Sequence, residues 1–322
     1  MTDFIEENSS ILATRPSPLV AILMGTMNGA RFLPEQLDSL AAQTHQNWLL
    51  IASDDGSTDD TLRILKAYQA KWPVGKLIIR EGPKRGFCTN FQSMACDPSI
   101  RADYYAFCDQ DDVWLPAKLD VALQNIAQNQ EEKVPYVYCG RTSYVNESLK
   151  KIGCSPLFAF PRTFRNALIQ SIAGGNTMVF NQESKALFEK VGVVCHPSHD
   201  WWLYQLATGS GGIVYYDTQP QVRYRQHKNA LVGGNHSLCA RLRRMRMVFN
   251  GQFRCWSDQV ILALDLATPL LTHGSKETLD LFRKMRDAKI RDRFRLMEVA
   301  GLYRQTWRGT ISLIVAALFG KI

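Results

Sequence analysis

The sequence predicts an α/β fold: an open, mostly parallel central sheet flanked by helices, followed by a basic helical C-terminal extension. Short apolar runs, each followed by a loop and a helix, alternate four times within residues 19–120. This alternation is typical of parallel strands joined by crossover helices. The uneven distribution of charge indicates a separate C-terminal extension. Residues 1–237 hold 22 basic and 23 acidic residues, whereas residues 238–322 hold 16 basic and 7 acidic residues.

Each element of the first half has its own signal. The first strand is expected at residues 19–24, where a continuous apolar run ends at Gly25. A helix with Pro34 in its first turn follows. The remaining strands are expected at residues 48–52, 77–79 and 104–108, with helices beginning near Asp59 and at residues 91–96. For the helix near Asp59, Ser57 is the expected cap, and Asp60, three residues later, is its partner in a capping box.

The second half is less regular. Strands are expected at residues 136–140, 177–180, 213–216 and 222–224, a helix at 201–207, and basic helices at 238–256 and 276–307. We expect a polar leader over residues 1–18, a main domain over 19–235 divided near residue 120, and a basic region over 236–322. The boundary is placed near Gly233-Gly234-Asn235.

Composition narrows the class of protein. The 322 residues are 46% hydrophobic and 21% charged, which excludes collagen-like and wholly disordered chains. The eight cysteines contain no CxxC pair, so a zinc ribbon or thioredoxin-like motif is not expected. No apolar signal segment begins the chain, and the most apolar stretch, residues 311–319, is about half of the roughly 20 residues that a membrane-spanning helix needs. These features favour a cytoplasmic protein with free thiols.

Carboxylates gather where two predicted strands end. Asp54 and Asp55 follow the second strand, and Asp109, Asp111 and Asp112 follow the fourth. In open α/β sheets, ligands bind outside the carboxyl ends of the strands. Three carboxylates within four residues repel one another unless a cation or several hydrogen bonds offset their charge. A divalent cation such as Mg²⁺, shared with substrate phosphates, fits this pattern.

Four segments in this order resemble family 2 glycosyltransferases of the GT-A fold. They are Met27-Asn28-Gly29, Ser53-Asp54-Asp55-Gly56-Ser57-Thr58-Asp59, Asp109-Gln110-Asp111-Asp112-Val113-Trp114-Leu115-Pro116 and His199-Asp200-Trp201-Trp202. The third segment and Tyr224-Arg225-Gln226-His227 are similar to rhamnosyltransferase-type members. The resemblance covers about residues 19–232. It implies a Rossmann-like nucleotide-diphospho-sugar transferase domain in which residues 19–120 bind the nucleotide sugar and 121–235 the acceptor.

The resemblance also implies roles for individual residues toward the donor and its metal. Asp112 is expected to be the direct ligand of Mg²⁺ or Mn²⁺, and Asp111 a contact to ribose or donor sugar or a second ligand. His227 is expected as a third ligand or a diphosphate contact. The other expected donor-binding residues are Thr26, Asn28, Asp55, Arg85 and Arg225.

On the acceptor side, Asp200 matches the base of the family. An inverting transfer needs a base that takes the proton of the acceptor hydroxyl. Asp200 is also well placed to cap the helix that follows it. Trp201 and Trp202 are expected to desolvate Asp200 or to stack on a sugar, and Gly175 and Asn176 to form the acceptor loop.

The expected activity is therefore inverting, metal-dependent transfer of L-rhamnose from dTDP-L-rhamnose to a glycan or lipid-linked acceptor in bacterial cell-surface polysaccharide or lipopolysaccharide synthesis. Use of a UDP- or GDP-sugar is the alternative within the family. From other classes, a non-catalytic sugar-nucleotide-binding protein and a nucleic-acid-binding protein stay open, although we expect no nucleic acid partner. A nicotinamide-dependent oxidoreductase is disfavoured because Gly25-Thr26-Met27-Asn28-Gly29 is not a GxGxxG turn.

The basic C-terminal region indicates where in the cell the protein acts. Residues 241–246 carry four arginines, and the stretch 284–308 is also rich in arginine. A solvated face explains such runs equally well. Together with the apolar residues 311–319, however, they predict a peripheral contact with the inner face of the cytoplasmic membrane.

Overall fold

The computed structural model describes residues 17–227 and 252–322. Its strands are β1 (Val20–Thr26), β2 (Trp48–Asp54), β3 (Leu77–Glu81), β4 (Tyr104–Cys108), β5 (Val113–Trp114), β6 (Tyr136–Val145), β7 (Lys151–Cys154), β8 (Val179–Asn181) and β9 (Ile213–Arg225). Its helices are α1 (Leu33–Ala41), α2 (Thr61–Lys71), α3 (Phe87–Ala95), α4 (Lys118–Asn129), α5 (Phe164–Ala167), α6 (Gln182–Val191), α7 (His199–Gly209), α8 (Gln252–Ala267), α9 (His273–Asp287), α10 (Ile290–Ala300) and α11 (Trp307–Leu318).

These strands form one sheet in the order β3-β2-β1-β4-β8-β6-β9-β5, with β7 paired to β6. The first four strands are parallel, as the sequence predicts, and β1 is buried along its length between the helices on both faces. In the second half β8 is antiparallel to β4 and β6, whereas β6 and β9 are parallel. The complete sheet is therefore mixed, and its parallel half carries the predicted strand-end loops on one edge.

Strand β9 is one long strand where two short ones are predicted. Residues 217–220 contain Asp, Gln and Pro, which favour a turn in isolation. Pairing with β6 continues on both sides, from Gly140 opposite Asp217 to Thr142 opposite Val222, with an irregular register between them. The bulge accommodates the polar residues 217–220 without ending the pairing, so β9 continues to Arg225.

Helix α2 begins at Thr61, and the predicted capping box is wrong. The Ser57 hydroxyl donates to Asp54 Oδ1 at 2.6 Å instead of accepting from the helix. The N-cap residue is Asp60, whose side chain makes no capping hydrogen bond. Ser57 therefore shapes the loop after β2 and does not start α2.

The described C-terminal helices form part of the body of the protein. Leu264 of α8 and Phe282 of α9 share one buried core with Phe164 of α5. Asn166 Nδ2 donates to the carbonyl of Tyr303 at 3.0 Å, which ties the end of the chain to α5. A chain shortened near residue 234 would expose this core, so the extension is structural as well as basic.

Two further predictions concern residues that fall largely outside the described ranges: the leader over 1–18 and the boundary at 233–235. Most of the predicted helix 238–256, with the arginines of 241–246, also lies there. Among the described helices, none is both long and apolar enough to cross a membrane.

Candidate active site

The loop after β2 is fixed by a buried carboxylate. Asp54 Oδ1 accepts from the hydroxyls of Thr26 and Ser57, at 2.9 and 2.6 Å. Asp54 Oδ2 accepts from the Ser57 amide at 2.9 Å. Thr26 is only 2% exposed, so this predicted nucleoside contact is an internal support of the loop. Asn28 lies next to it with a positive φ of 49°, and its side-chain oxygen accepts from the Thr58 amide.

Gln110 joins the loop after β1 to the carboxylate loop after β4. Its side chain accepts from the Met27 amide and donates to the Met27 carbonyl, both at 2.9 Å. A Cβ on Gly29 would lie 2.0 Å from Gln110 Oε1. A side chain at position 29 would therefore displace the Gln110 amide, and no local sequence pattern indicates the role of Gln110.

Asp55 shapes the loop before α3. Its two carboxylate oxygens accept from the amides of Lys84, at 2.6 Å, and Gly86, at 2.8 Å. Arg85 lies between those two amides with an exposed side chain. The predicted donor residues Asp55 and Arg85 are thus brought together, with Asp55 organising the loop that presents Arg85.

Asp112 lies behind the site and not on its surface. It is fully buried, and its carboxylate accepts from Asn176 Nδ2 and, at 3.0 Å, from the Arg225 amide. Burial, together with the charges of Asp111 and Asp109, raises its pKa well above the usual range. Both carboxylate oxygens face protein donors, so the geometry does not favour the predicted role of direct metal ligand. Asn176 joins the predicted acceptor loop to this carboxylate.

Arg225 is likewise a buried strut and not a free phosphate partner. Its guanidinium donates to the Asp111 carbonyl at 2.9 Å, to the Glu147 carbonyl and to the carboxylate of Glu35. The guanidinium carbon also lies 4.4 Å from the centre of the Phe32 ring. All three guanidinium nitrogens have protein partners, so the predicted phosphate contact is replaced by a role in holding the carboxylate loop against α1.

Asp111 and His227 meet at the site. The Asp111 carboxylate lies 2.8 Å from His227 Nε2, and the histidine ring packs against Phe32. The neighbouring Asp109 carboxylate accepts no hydrogen bond from residues 17–227 or 252–322. Burial, and then the negative charges of Asp111 and Asp200, raise the pKa of Asp109 to about 8. Carboxylates from two distant loops therefore repel one another across a shared space.

Within the described chain, no group of three or more His, Cys, Asp or Glu side chains is gathered as a complete metal site. Asp111 and His227 supply a pair of ligand atoms. A cation that takes its other ligands from phosphate oxygens and water needs no more protein ligands than this.

Asp200 stands at the start of α7. Its carboxylate accepts from the Gly175 amide at 3.0 Å, from the Ser198 hydroxyl at 2.5 Å and from the Trp201 amide at 2.6 Å. The side chain is partly exposed, and these bonds fix its orientation. The predicted residues Gly175 and Asp200 are therefore in direct contact.

The adjacent His199 is buried, with both ring nitrogens lacking a hydrogen-bond partner among the described residues. Its ring stacks on Phe91 at 3.9 Å, and burial lowers its pKa to about 4. A Cβ on Gly175 would lie 2.4 Å from His199 Nε2, so the glycine leaves room for the ring.

The two tryptophans do not form the predicted sugar-stacking wall together. Trp202 is fully buried in the core and therefore cannot stack on a sugar, whereas the alternative role of desolvating Asp200 stays a prediction. Trp201 is half-buried and donates its indole N–H to the Ala167 carbonyl at 2.6 Å. Because α7 begins at His199, residues 201 and 202 point to different sides of the helix, and the inner one packs against the sheet.

The fold and the carboxylates at its parallel strand ends define an α/β transferase of the GT-A type. A family model for glycosyl transferase family 2 matches residues 21–191. The dTDP-rhamnosyl transferase RfbG of Shigella flexneri is 30% identical over 246 residues, which cover 72% of this chain and 81% of RfbG. The chain belongs to glycosyl transferase family 2 and is a glycosyltransferase.

Two further comparisons agree with this family. The putative teichuronic acid biosynthesis glycosyltransferase TuaG of Bacillus subtilis is 25% identical over 201 residues, or 61% of this chain and 75% of TuaG. The crystal structure of S. aureus TarS 1–349 in complex with UDP-GlcNAc aligns with a TM-score of 0.52 at 15% identity, covering 94% of this chain and 90% of that one. The structural likeness supports the GT-A fold alone.

Proposed function

We propose that the protein is an inverting, metal-dependent glycosyltransferase that moves L-rhamnose from dTDP-L-rhamnose to a glycan or lipid-linked acceptor of the bacterial cell surface. The observation that carries the proposal is the meeting of Asp111 with His227 beside Asp109, with Asp200 near enough to raise the pKa of Asp109. The similarity to a dTDP-rhamnosyl transferase supports the choice of donor. A UDP- or GDP-sugar is the alternative donor.

Asp111 and His227 would hold Mg²⁺ or Mn²⁺. The Asp111 carboxylate is a ligand type that suits Mg²⁺ and Mn²⁺, and His227 places a ring nitrogen 2.8 Å from it. When bound, the ion would act as a Lewis acid toward the leaving diphosphate. Asp112 and Arg225 would hold the carboxylate loop from behind, so that Asp111 keeps its orientation.

Asp200 would accept the proton of the attacking hydroxyl. Its carboxylate is held by three donors, including the Gly175 amide, and is partly exposed. A carboxylate that is fixed but accessible can receive a proton without first reorganising. Gly175 and the exposed face of Trp201 would lie beside the acceptor.

The loops that Asp54 and Asp55 hold in place would bind the nucleotide-sugar donor. Asn28 in the loop after β1 would flank the nucleoside, and Arg85 is an exposed cation of the loop that Asp55 holds, next to Lys84, which pairs with Glu81. Because Arg225 is fully engaged inside the protein, Arg85 is the better candidate for a diphosphate contact.

A thermal-shift screen tests donor and metal together. The protein is incubated with dTDP-L-rhamnose, UDP-GlcNAc or GDP-mannose, each with and without Mn²⁺. We expect a rise in Tm that is largest for dTDP-L-rhamnose and requires the metal. A larger rise with another nucleotide would reassign the donor, and no rise with any of them would refute the proposal.

A further inference from the structure

The last two helices expose a continuous apolar stripe. On α11, Trp307, Ile311 and Val315 are 64%, 51% and 48% exposed, and Phe319, just after the helix, is 71% exposed. They recur every four residues, so they share one face. The opposite face, with Leu313 and Ala317, is buried against the body of the protein.

Helix α10 extends this stripe. Ile290 and Phe294 are 56% and 47% exposed and lie one turn apart. Arg293, between them, donates to the carbonyls of Ala317 and Leu318, at 3.3 and 3.1 Å. The start of α10 and the end of α11 are therefore joined, so Ile290 and Phe294 lie at the end of the helix pair that also carries Val315 and Phe319.

Positive charge borders the apolar residues. Residues 288–322 hold seven basic and two acidic residues. Among the basic ones, Arg291, Arg295 and Arg308 are exposed and form no ion pair with the described residues. An amphipathic surface with aromatic and aliphatic side chains on its apolar face and arginines at its edge matches what interfacial helices present to an anionic bilayer.

We propose that α10 and α11 form a membrane-docking surface for an anionic lipid bilayer, with Trp307, Ile311, Val315 and Phe319 entering the interface and the arginines contacting lipid phosphates. Neither helix is long enough to cross the bilayer, so the contact is peripheral. A second copy of the chain would also cover apolar residues. The unpaired arginines favour lipid, because two copies would bring the same positive charges together.

Vesicle flotation of the full chain tests the proposal. Vesicles of phosphatidylcholine alone are compared with vesicles that also contain phosphatidylglycerol. We expect binding to the anionic vesicles only. Replacing both Arg295 and Arg308 with Gln should weaken it by about fivefold per charge, hence roughly 25-fold. Ile311→Glu should abolish it, whereas the matched control Val74→Glu, fully exposed in the loop between α2 and β3, should bind as the wild type does.

Trp307 offers a second readout. Of the seven tryptophans, all within the described residues, only Trp307 is mostly exposed. Lipids with brominated acyl chains should quench its fluorescence, and Trp307→Phe should remove that quenching. The Tm of each variant is measured to confirm folding. Equal binding of wild type and Ile311→Glu, or no binding together with a dimer in light scattering that Ile311→Glu dissociates, would overturn the proposal.

Discussion

Exchanging Asp111 and Asp112 for asparagine, one at a time, separates metal binding from structural support. Asp112 is fully buried, and its two oxygens accept from Asn176 and from the Arg225 amide. Asparagine offers one oxygen and one NH₂ group, so one of these N–H donors loses its acceptor. An unsatisfied buried donor costs about 1–3 kcal/mol. At about 2 kcal/mol, the Tm of this 322-residue chain should fall by about 3 °C.

Asp111→Asn should instead leave Tm almost unchanged and strongly reduce the affinity for Mn²⁺. The side chain is partly exposed and pairs with His227, so Tm should change little. Loss of a direct ligand should lower the affinity for Mn²⁺ by more than the roughly 10- to 100-fold that supporting residues cost. Asp112→Asn, as a supporting residue, should stay within that range.

Calorimetric titration of Mn²⁺ in the presence of dTDP, beside thermal unfolding, measures both quantities. If Asp112→Asn lost metal binding at unchanged Tm while Asp111→Asn bound normally, the assignment of Asp111 as ligand would be refuted. The original prediction for Asp112 would then stand.

Three further predictions follow from single contacts. Asp200→Asn should abolish transfer while leaving donor affinity within a few-fold, and retained turnover would exclude Asp200 as the base. Burial lowers the pKa of His199 to about 4, so on acidification the histidine of the unfolded chain takes up a proton before that of the folded chain. The free energy of unfolding should therefore fall as the pH drops from about 6.5 toward 4, by about 2 kcal/mol at pH 5. Urea titrations should show that His199→Leu removes this contribution to the pH dependence. Gly29→Ala should cost about 2 kcal/mol, because its Cβ displaces Gln110 and breaks two hydrogen bonds, whereas Gly274→Ala, which meets nothing, should not destabilise; equal Tm values would contradict this account.

Strands β1, β2 and β4 were predictable because each is buried on both faces and therefore appears as a continuous apolar run. Strand β3 lies at the edge of the sheet with Ile78 exposed, and only its short apolar run 77–79 indicated it. The long β9 was not predictable, because its pairing with β6 across Gly140 overrides the local turn preference of residues 217–220. Ser57 was assigned to a helix cap for the same reason: local preference does not reveal that Asp54 competes for its hydroxyl.

Some residues of the candidate site could also be predicted from the sequence, and others could not. The sequence showed that carboxylates gather at strand ends, and it named Asp111, Asp200 and His227. It ranked Asp112 above Asp111 as the metal ligand, whereas the folded chain buries Asp112 and leaves Asp111 partly exposed, because the local sequence does not show which way adjacent loop residues face. It also offered no sign of the struts that support the site, such as Gln110.

By itself the sequence determined the α/β class, the strand ends where carboxylates meet, and the concentration of positive charge beyond residue 237. Each of these features depends on residues that are close together along the chain. The tertiary structure decided which side chains face the site and which support it. Arg225 is the clearest example, since its partners Glu35 and Glu147 are 190 and 78 residues away along the chain. It also decided that the basic C-terminal helices are packed into the body of the enzyme. Burial and hydrogen bonding between distant segments settle these questions, and no local pattern records them.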